Sequence, residues 1–338
     1  MYHSELSRDG PGLLLRDILS EEDAQIEAAL RVLRDVDADV LVLADFDYDL
    51  NGVALGAFAD RLGSYPHRLA LPSNRGRPSG VDLDGDGKTG GAGDAVGFAA
   101  FRGQGALAVL SRLPLDQDRA RDFNSLAWTS LPENLALAET PPDFPLSTTS
   151  HWDIPLVLGG GRDLRLLTWH ATPPVFDGPE DRNGRRNHDE SAFWSAYLDG
   201  KLGLRPPTTF VLAGVANLDP LDGDGRPAAL QALLTREDIH QITPKSEGGA
   251  RAAERDGAIN SRHRGDPAHD TVDWPDGQSR PGNLRVDYLL PSANLTVIEA
   301  GVFWPRAETS LGRDVERASR HRLVWVDLVL PDGAGNGG

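Results

Sequence analysis

The sequence predicts a layered α/β sandwich. Short apolar runs of strand character recur along the whole chain, helical patterns separate only some of them, and the remaining runs follow one another directly. Strict strand–helix alternation would point instead to a barrel or a doubly wound sheet. The chain of 338 residues is ample for a sizeable core, and a prior of ~150 residues per domain allows one large domain or two small ones.

The elements can be taken in order. Ser20 to Val36 reads SEEDAQIEAALRVLRDV, a Ser followed three residues later by Asp23 and then by apolar residues at helical spacing, which predicts one capped amphipathic helix. Val40 to Ala44 (VLVLA) reads as a short buried strand. Further strands are expected at Leu107–Leu110, Ile154–Leu158, Leu164–Trp169, Thr209–Leu212, Val286–Leu290 and Leu323–Leu330, where apolar, β-branched runs are flanked by Gly, Pro and Asp. Helices are expected at Gly52–Leu62, Glu190–Leu202 and Pro227–Leu234. Polar, Gly-rich and Pro-rich stretches fill roughly 73–105, 171–187 and 244–283, longer than ordinary connectors and therefore functional or disordered. No internal repeat or linker divides the chain, so one domain over residues 1–332 is expected, with a flexible Gly-rich tail at 333–338.

Composition narrows the function. The 34 Lys+Arg against 51 Asp+Glu give a net charge of −17, which repels a phosphate backbone at long range and argues against duplex DNA. The absence of cysteine excludes disulfides, thiolate metal sites and Cys nucleophiles. No run approaches the ~18 apolar residues of a membrane helix, and residues 1–30 hold no basic segment followed by an apolar run. No Gly-rich phosphate fingerprint opens a helix after a strand, so nucleotide-binding Rossmann and P-loop readings find no support.

Six motifs fall in a fixed order: LVLAD ending at Asp45, GALAVLSRLPL (Gly105–Leu115), LLTWHATPP (Leu166–Pro174), FVLAGVANLDP (Phe210–Pro220), RVDYLLPS (Arg285–Ser292) and SRHRLVWVDL (Ser319–Leu328). In this order the chain resembles the endonuclease/exonuclease/phosphatase superfamily. The blocks SHWDIP (Ser150–Pro155) and HATPPVFDGPEDRNGRRNHDE (His170–Glu190) are similar to a bacterial subgroup often described as exported. The resemblance implies a four-layer α/β/β/α, deoxyribonuclease I-like sandwich of two packed, mainly antiparallel sheets. It also implies a divalent-metal-dependent phosphoesterase and an extracytoplasmic location.

The resemblance further assigns roles, residue by residue. Asp45 takes the place of a metal-binding Glu, for Mg²⁺ or Mn²⁺, against the bland reading of a solvated strand-end acid. Asp287 is expected to fix the tautomer of a catalytic His321, and His170 to be a phosphate donor or general acid. In Gly214-Val215-Ala216-Asn217 the phosphate-orienting Asn217 is kept, while Val215 replaces an Asp that would bind metal or orient water. In Ser319-Arg320-His321 an expected carboxylate has become Arg320, whose fork suits a substrate phosphate. His3 stands at the position of an Asn closing strand one, and that strand looks truncated. Val215 and Arg320 favour an alternative, a catalytically inactive relative acting as a calcium-stabilised binding scaffold.

Three loops complete the expectations. Asp82-Leu83-Asp84-Gly85-Asp86-Gly87 opens like a calcium-binding EF-hand loop, predicting Ca²⁺ at Asp82, Asp84, Asp86 and Asp94, although the closing Glu is absent and a solvated Asp/Gly turn has the same composition. The acids Asp219, Asp222 and Asp224 could stand in for the missing carboxylate or close turns. Arg182, Arg185, Arg186, Asn187 and His188 concentrate positive charge beside the strand of His170. Arg185, Arg186 and Asn187 are accordingly substrate-binding candidates, unless Asp177, Glu180, Asp181, Asp189 and Glu190 pair with these arginines. The expected substrate is a phosphorylated small molecule or single-stranded nucleic acid.

Overall fold

The structure is a computed structural model that describes residues 1–159, 162–277 and 280–330; the tail expected at 333–338 lies outside the described residues. In chain order it contains β1 (Tyr2–His3), α1 (Leu13–Ser20), α2 (Ala24–Val36), β2 (Val40–Phe46), α3 (Val53–Leu62), β3 (His67–Leu69), β4 (Ala106–Ser111), β5 (Arg121–Asp122), β6 (Ser150–Gly159) and β7 (Arg162–His170). These are followed by α4 (Arg182–Leu198), β8 (Phe210–Val215), α5 (Ala228–Leu234), α6 (Glu247–Asp256), β9 (Val272–Asp273), β10 (Asn283–Leu284), β11 (Asp287–Pro291), β12 (Thr296–Phe303), α7 (Ser310–Ala318) and β13 (Leu323–Val329).

Two sheets form the centre. One has the order β1-β2-β4-β3 and is extended by the antiparallel β12–β13 pair, because the Met1 nitrogen donates to the Val324 carbonyl at 2.8 Å and Val324 donates back to Met1 at 2.9 Å. The other has the order β11-β8-β7-β6-β5. Pairing is antiparallel except at β1/β2 and β7/β8.

The period-two alternation of each strand divides its side chains between cores. Val42 and Ala44 of β2, Leu107 and Val109 of β4, Leu164 and Leu166 of β7 and Val211, Ala213 and Val215 of β8 meet between the sheets. The alternate residues Leu41, Leu43, Ala108 and Leu110 face outward onto Ile18, Leu30, Phe58 and Val315 of α1, α2, α3 and α7. On the far side Leu167, Trp169, Phe210 and Leu212 pack on Trp194 and Tyr197 of α4 and on Leu230 and Leu233 of α5. Helices, sheet, sheet and helices give the four layers that the motif order implied.

Three local expectations are corrected. The single helix from Ser20 is two helices: α1 ends at Ser20, Glu21 adopts a left-handed φ of 59°, and Asp23 is the cap of α2, accepting from Gln25 N at 3.0 Å and Ile26 N at 2.9 Å. A carboxylate beside helix-starting N–H groups also complements the helix dipole. The long stretch 244–283 contains α6, capped by Ser246, as well as β9 and β10. The arginine-rich segment expected to be a loop forms the first turns of α4.

That helix start is a buried polar clamp. Arg186 is 4% exposed and donates to the carbonyls of Pro145, Leu146, Ser147 and Val96 at 2.8, 2.7, 3.2 and 2.6 Å. Its expected substrate role is therefore overturned, since its donors are spent on backbone. The Asn187 amide donates to Thr172 O at 2.6 Å and Ala216 O at 2.7 Å, bracing the ends of β7 and β8 from behind. Glu190 accepts from Thr148 N, Thr148 Oγ1 and Thr172 N, and Asp189 accepts from Trp128 Nε1 and Leu135 N. The expected pairing of carboxylates with arginines inside this segment gives way to bonds that tie down neighbouring loops.

Burial raises the Glu190 carboxyl from its ordinary 4.5 to about 7, against the pull of Arg186 and the Thr148 donors. The folded protein thus holds this proton between about pH 4.5 and 7 while the unfolded chain has released it, so Glu190 adds stability as pH falls through that window. His151, lowered to about 4 by burial, has the opposite sign and loses stability as pH falls from 6.5 to 4. Replacing Glu190→Gln should therefore leave the histidine unopposed. The urea midpoint of the variant is expected to fall more steeply than the parent's between pH 7 and 4.5, and parallel profiles would refute a protonated Glu190.

Candidate active site

The strand ends of both sheets meet at one edge. β1 delivers His3, β2 delivers Asp45, β7 ends in His170, β8 leads to Asn217, β11 begins at Asp287, and His321 stands two residues before β13. The rings of His3 and His321 stack at 4.0 Å with 16° between planes, and His3 meets His170 edge-on at 5.2 Å. All three are nearly excluded from solvent, His3 at 8% exposure and the other two at 3%.

His321 and Asp287 form the tightest polar contact. His321 Nδ1 lies 2.8 Å from Asp287 Oδ2, which also accepts from Thr271 Oγ1 at 2.9 Å. A carboxylate can only accept, so the ring carries its proton on Nδ1 and leaves Nε2 as the basic atom. Thr271 is itself fixed, its hydroxyl accepting from Val286 N and Asp287 N at 3.0 Å each. The Nδ1 atoms of His3 and His170 are buried without a partner. Burial, with His321 second, lowers His3 to about 4; burial, followed by His3 and Arg75, lowers His170 well below 6.5. Both rings are neutral at pH 7.

Asp45 reaches this edge through a bulge. The β2/β4 register shifts between Ala44 and Phe46, and Asp45 has a left-handed φ of 56°. Such a bulge re-aims one side chain out of the ladder. Its Oδ1 lies 2.3 Å from where a Cβ would stand on Gly105, and the Arg75 guanidinium carbon lies 3.0 Å from the same point. Gly105, at φ 62°, leaves open the space that both side chains fill. Asp47, two residues on, is committed to Ser7 Oγ, Arg8 N and Gly105 N.

Other expected members stand differently. Asn217, at φ 51°, donates to Ala171 O at 2.8 Å and so fastens the β7 and β8 ends together. Val215 is fully buried between the sheets, in register with His170 on one side and Asp287 on the other, so an apolar side chain stands where the edge could have held an acid. Arg320 points its fork at Glu5, with Nε 2.8 Å and Nη2 2.5 Å from Oε1, while its backbone N donates to Oε2 at 2.7 Å. The expectation that this fork holds substrate is corrected by that pairing. Burial pushes Glu5 up, but the Arg320 hydrogen bonds outweigh it and hold the carboxyl at about 2. Arg185 turns its Nε to the Glu180 carbonyl at 3.1 Å. Glu5 and Arg75 were missed at the sequence level because neither lies in one of the ordered motifs.

Metal-ligand geometry occurs in two places among the described residues. Ligand atoms of His3, Glu5 and His321 lie within 4.8 Å of one another, as do those of Asp82, Asp84 and Asp86. Asp94 is outside the second group: its carboxylate accepts from Leu83 N at 2.8 Å and Gly91 N at 3.1 Å, closing the loop through backbone instead. Asp82 and Asp86 also accept from Gly85, Gly87 and Lys88 N–H groups, the pattern of Asx turns. Of the later acids, Asp219 accepts from Leu221, Asp222 and Arg285 N–H groups, and Asp222 from Arg264 and Gly265, so both serve turns.

Two stacked sheets with a histidine- and acid-lined edge define a deoxyribonuclease I-like sandwich. An endonuclease/exonuclease/phosphatase from Beutenbergia cavernae DSM 12333 has this fold, with a TM-score of 0.56 at 17% identity over 97% of this chain and 69% of its own. An endonuclease/exonuclease/phosphatase family protein from Leptotrichia buccalis C-1013-b gives 0.50 at 15% identity, over 90% and 93%. At these identities the likeness is one of fold. No curated protein matches the chain in sequence. Residues 17–321 match the Endonuclease/Exonuclease/phosphatase family, and the chain belongs to that family.

Gly105 carries a direct test of this geometry. In Gly105→Ala the new methyl would overlap Asp45 Oδ1 and the Arg75 guanidinium at a positive φ. A loss of about 1–3 kcal/mol is expected in chemical denaturation. Unchanged stability would mean that the two side chains do not occupy this space.

Proposed function

We propose that this protein is a phosphoric ester hydrolase whose reaction takes place at the edge formed by His3, His170, Asn217, Asp287 and His321. The observation that carries the reading is the buried Asp287–His321 pair at 2.8 Å, with its basic Nε2 beside two further neutral imidazoles. In this assignment His321 takes a proton from the attacking water, and Asp287 stabilises the imidazolium that results. His170, neutral and with a ring nitrogen free of protein partners, donates to a phosphoryl oxygen or to the leaving group. Asn217 keeps one N–H for the substrate. Family membership supports the class of reaction.

A divalent ion would neutralise phosphoryl charge and lower the pKa of bound water. The residues present fit Mg²⁺ or Mn²⁺ poorly: among the described acids of the edge Asp45 alone has neither oxygen hydrogen-bonded, Asp287 is tied to His321 and Thr271 through Oδ2, Val215 is apolar, and Glu5 is held by Arg320. The substrate we assign is a phosphorylated small molecule or a single strand, since the −17 charge disfavours duplex DNA. Val215 and the Arg320–Glu5 pair favour a second reading, a binding scaffold without turnover. In either reading Ca²⁺ at Asp82, Asp84 and Asp86 would order the long loop.

Two measurements test these assignments. Hydrolysis of bis(p-nitrophenyl) phosphate should fall by roughly 10²–10⁴-fold in His321→Ala, the usual contribution of a positioned general base. Equal rates in parent and variant would defeat the catalytic assignment, and a parent inert with Mg²⁺, Mn²⁺, Ca²⁺ or none would favour the scaffold. Calorimetric titration with Ca²⁺ should give binding that Asp84→Asn removes, and an absence of heat in the parent would dismiss the loop site.

A further inference from the structure

Arg75 is the outlier among the inward-reaching arginines. Arg186 is answered by four carbonyls, and Arg322, although its Nε is also unmet, by the Ser319 carbonyl and the Asp273 carboxylate, whereas Arg75 has no side-chain hydrogen bond among the described residues. Among the described residues, no carboxylate forms an ion pair with Arg75, and its Nε is buried without an acceptor. An unanswered guanidinium donor out of water is costly, and such cost persists where a ligand supplies the missing acceptor.

Its backbone is held firmly. Arg75 N donates to Ser73 Oγ at 3.0 Å, Gly103 N donates to the Arg75 carbonyl at 3.0 Å, and Gly76 N donates to Gly97 O at 2.9 Å. Asn74, next to it, donates to the carbonyls of Asn124 and Ser147 at 2.7 and 2.8 Å. From this base the side chain crosses the face of Gly105 to stand beside Asp45, and its charge is felt at His170. A fixed cation thus shares the edge with two imidazoles whose Nδ1 atoms also lack partners.

We propose that Arg75 is the cation that receives the substrate's phosphoryl group, supplying charge neutralisation that the depleted carboxylate set cannot obtain from a divalent ion. The inference rests on the phosphoesterase reading for its substrate. The guanidinium offers two parallel N–H groups that match two phosphoryl oxygens, and the transition state of phosphoryl transfer spreads its charge over those oxygens. Asp45 stands close by without pairing with the guanidinium, whose N–H groups are left to the ligand.

The probe is inorganic phosphate, titrated calorimetrically into the full chain in the presence of EDTA, with bis(p-nitrophenyl) phosphate hydrolysis measured in parallel. The parent should bind phosphate without metal. Arg75→Gln should weaken binding at least tenfold, Arg75→Lys severalfold through loss of the fork, and Arg102→Gln, which removes an exposed charge from the same loop, should bind as the parent does. Equal affinity in the parent and Arg75→Gln overturns the proposal, as does phosphate binding that appears only when Mg²⁺ or Mn²⁺ is added. If Arg75→Gln does not fold, Arg75→Lys is decisive, and unchanged affinity there is equally fatal. Hydrolysis by the parent together with Arg75-independent phosphate binding removes this inference and leaves the phosphoesterase reading intact. Arg75-dependent binding without hydrolysis removes the phosphoesterase reading and supports an anion site at Arg75.

Discussion

The contact between Asp287 and His321 joins the two sheets where they open toward solvent. Asp287 starts a strand of one sheet and His321 precedes a strand of the other, so a single hydrogen bond fixes their relative position at the functional edge. A carboxylate with almost no exposure must find partners or be costly to the fold, and breaking a buried pair typically costs ~3–5 kcal/mol. Thr271 is the third member, and its hydroxyl also satisfies two N–H groups of the β11 strand start. The histidine stack, and with it the placement of His3, is built against this joint.

The buried polar groups divide into two populations. Those of the α4 start are satisfied almost completely by backbone, and they lock the loops around residues 145–148 and 172 in place. Those of the edge are left incomplete: ring nitrogens of His3 and His170, Arg75 Nε and Asp287 Oδ1 all lack partners. Complete networks rigidify, whereas unanswered donors in a concave edge are what a ligand completes. The clamp behind the site thus supplies the rigidity that allows the edge to remain unsatisfied.

Much of this was legible in the sequence. The longer strands β2, β4, β6, β7, β8, β11 and β13 were anticipated to within a few residues from their apolar runs, whereas the short edge strands β3 and β5 carry too little apolar pattern to be seen. The order of motifs placed His170, Asn217, Asp287 and His321 at one edge, as strand ends in a stacked sandwich require. The arginine-rich segment misled because charge density resembles an anion-binding loop until its helix is seen to bury Arg186 and Asn187. The β12 strand and α7 also went unnoticed, although three residues of β12 are exposed and the rest wholly or partly buried. Arg75 was illegible for a different reason: its role depends on Gly105 and Asp45, which only the tertiary fold brings beside it.

The Arg320–Glu5 pair, the His3–His321 stack and the Met1–Val324 hydrogen bonds all bridge more than 300 positions of sequence. Contacts so distant along the chain close late, because the loop entropy must be paid before any of them forms. The parts of the sheets and helical layers held by nearer contacts can form first and leave the edge open. Binding competence would then arrive almost in one step, when these contacts draw His3, Glu5, Arg320 and His321 together.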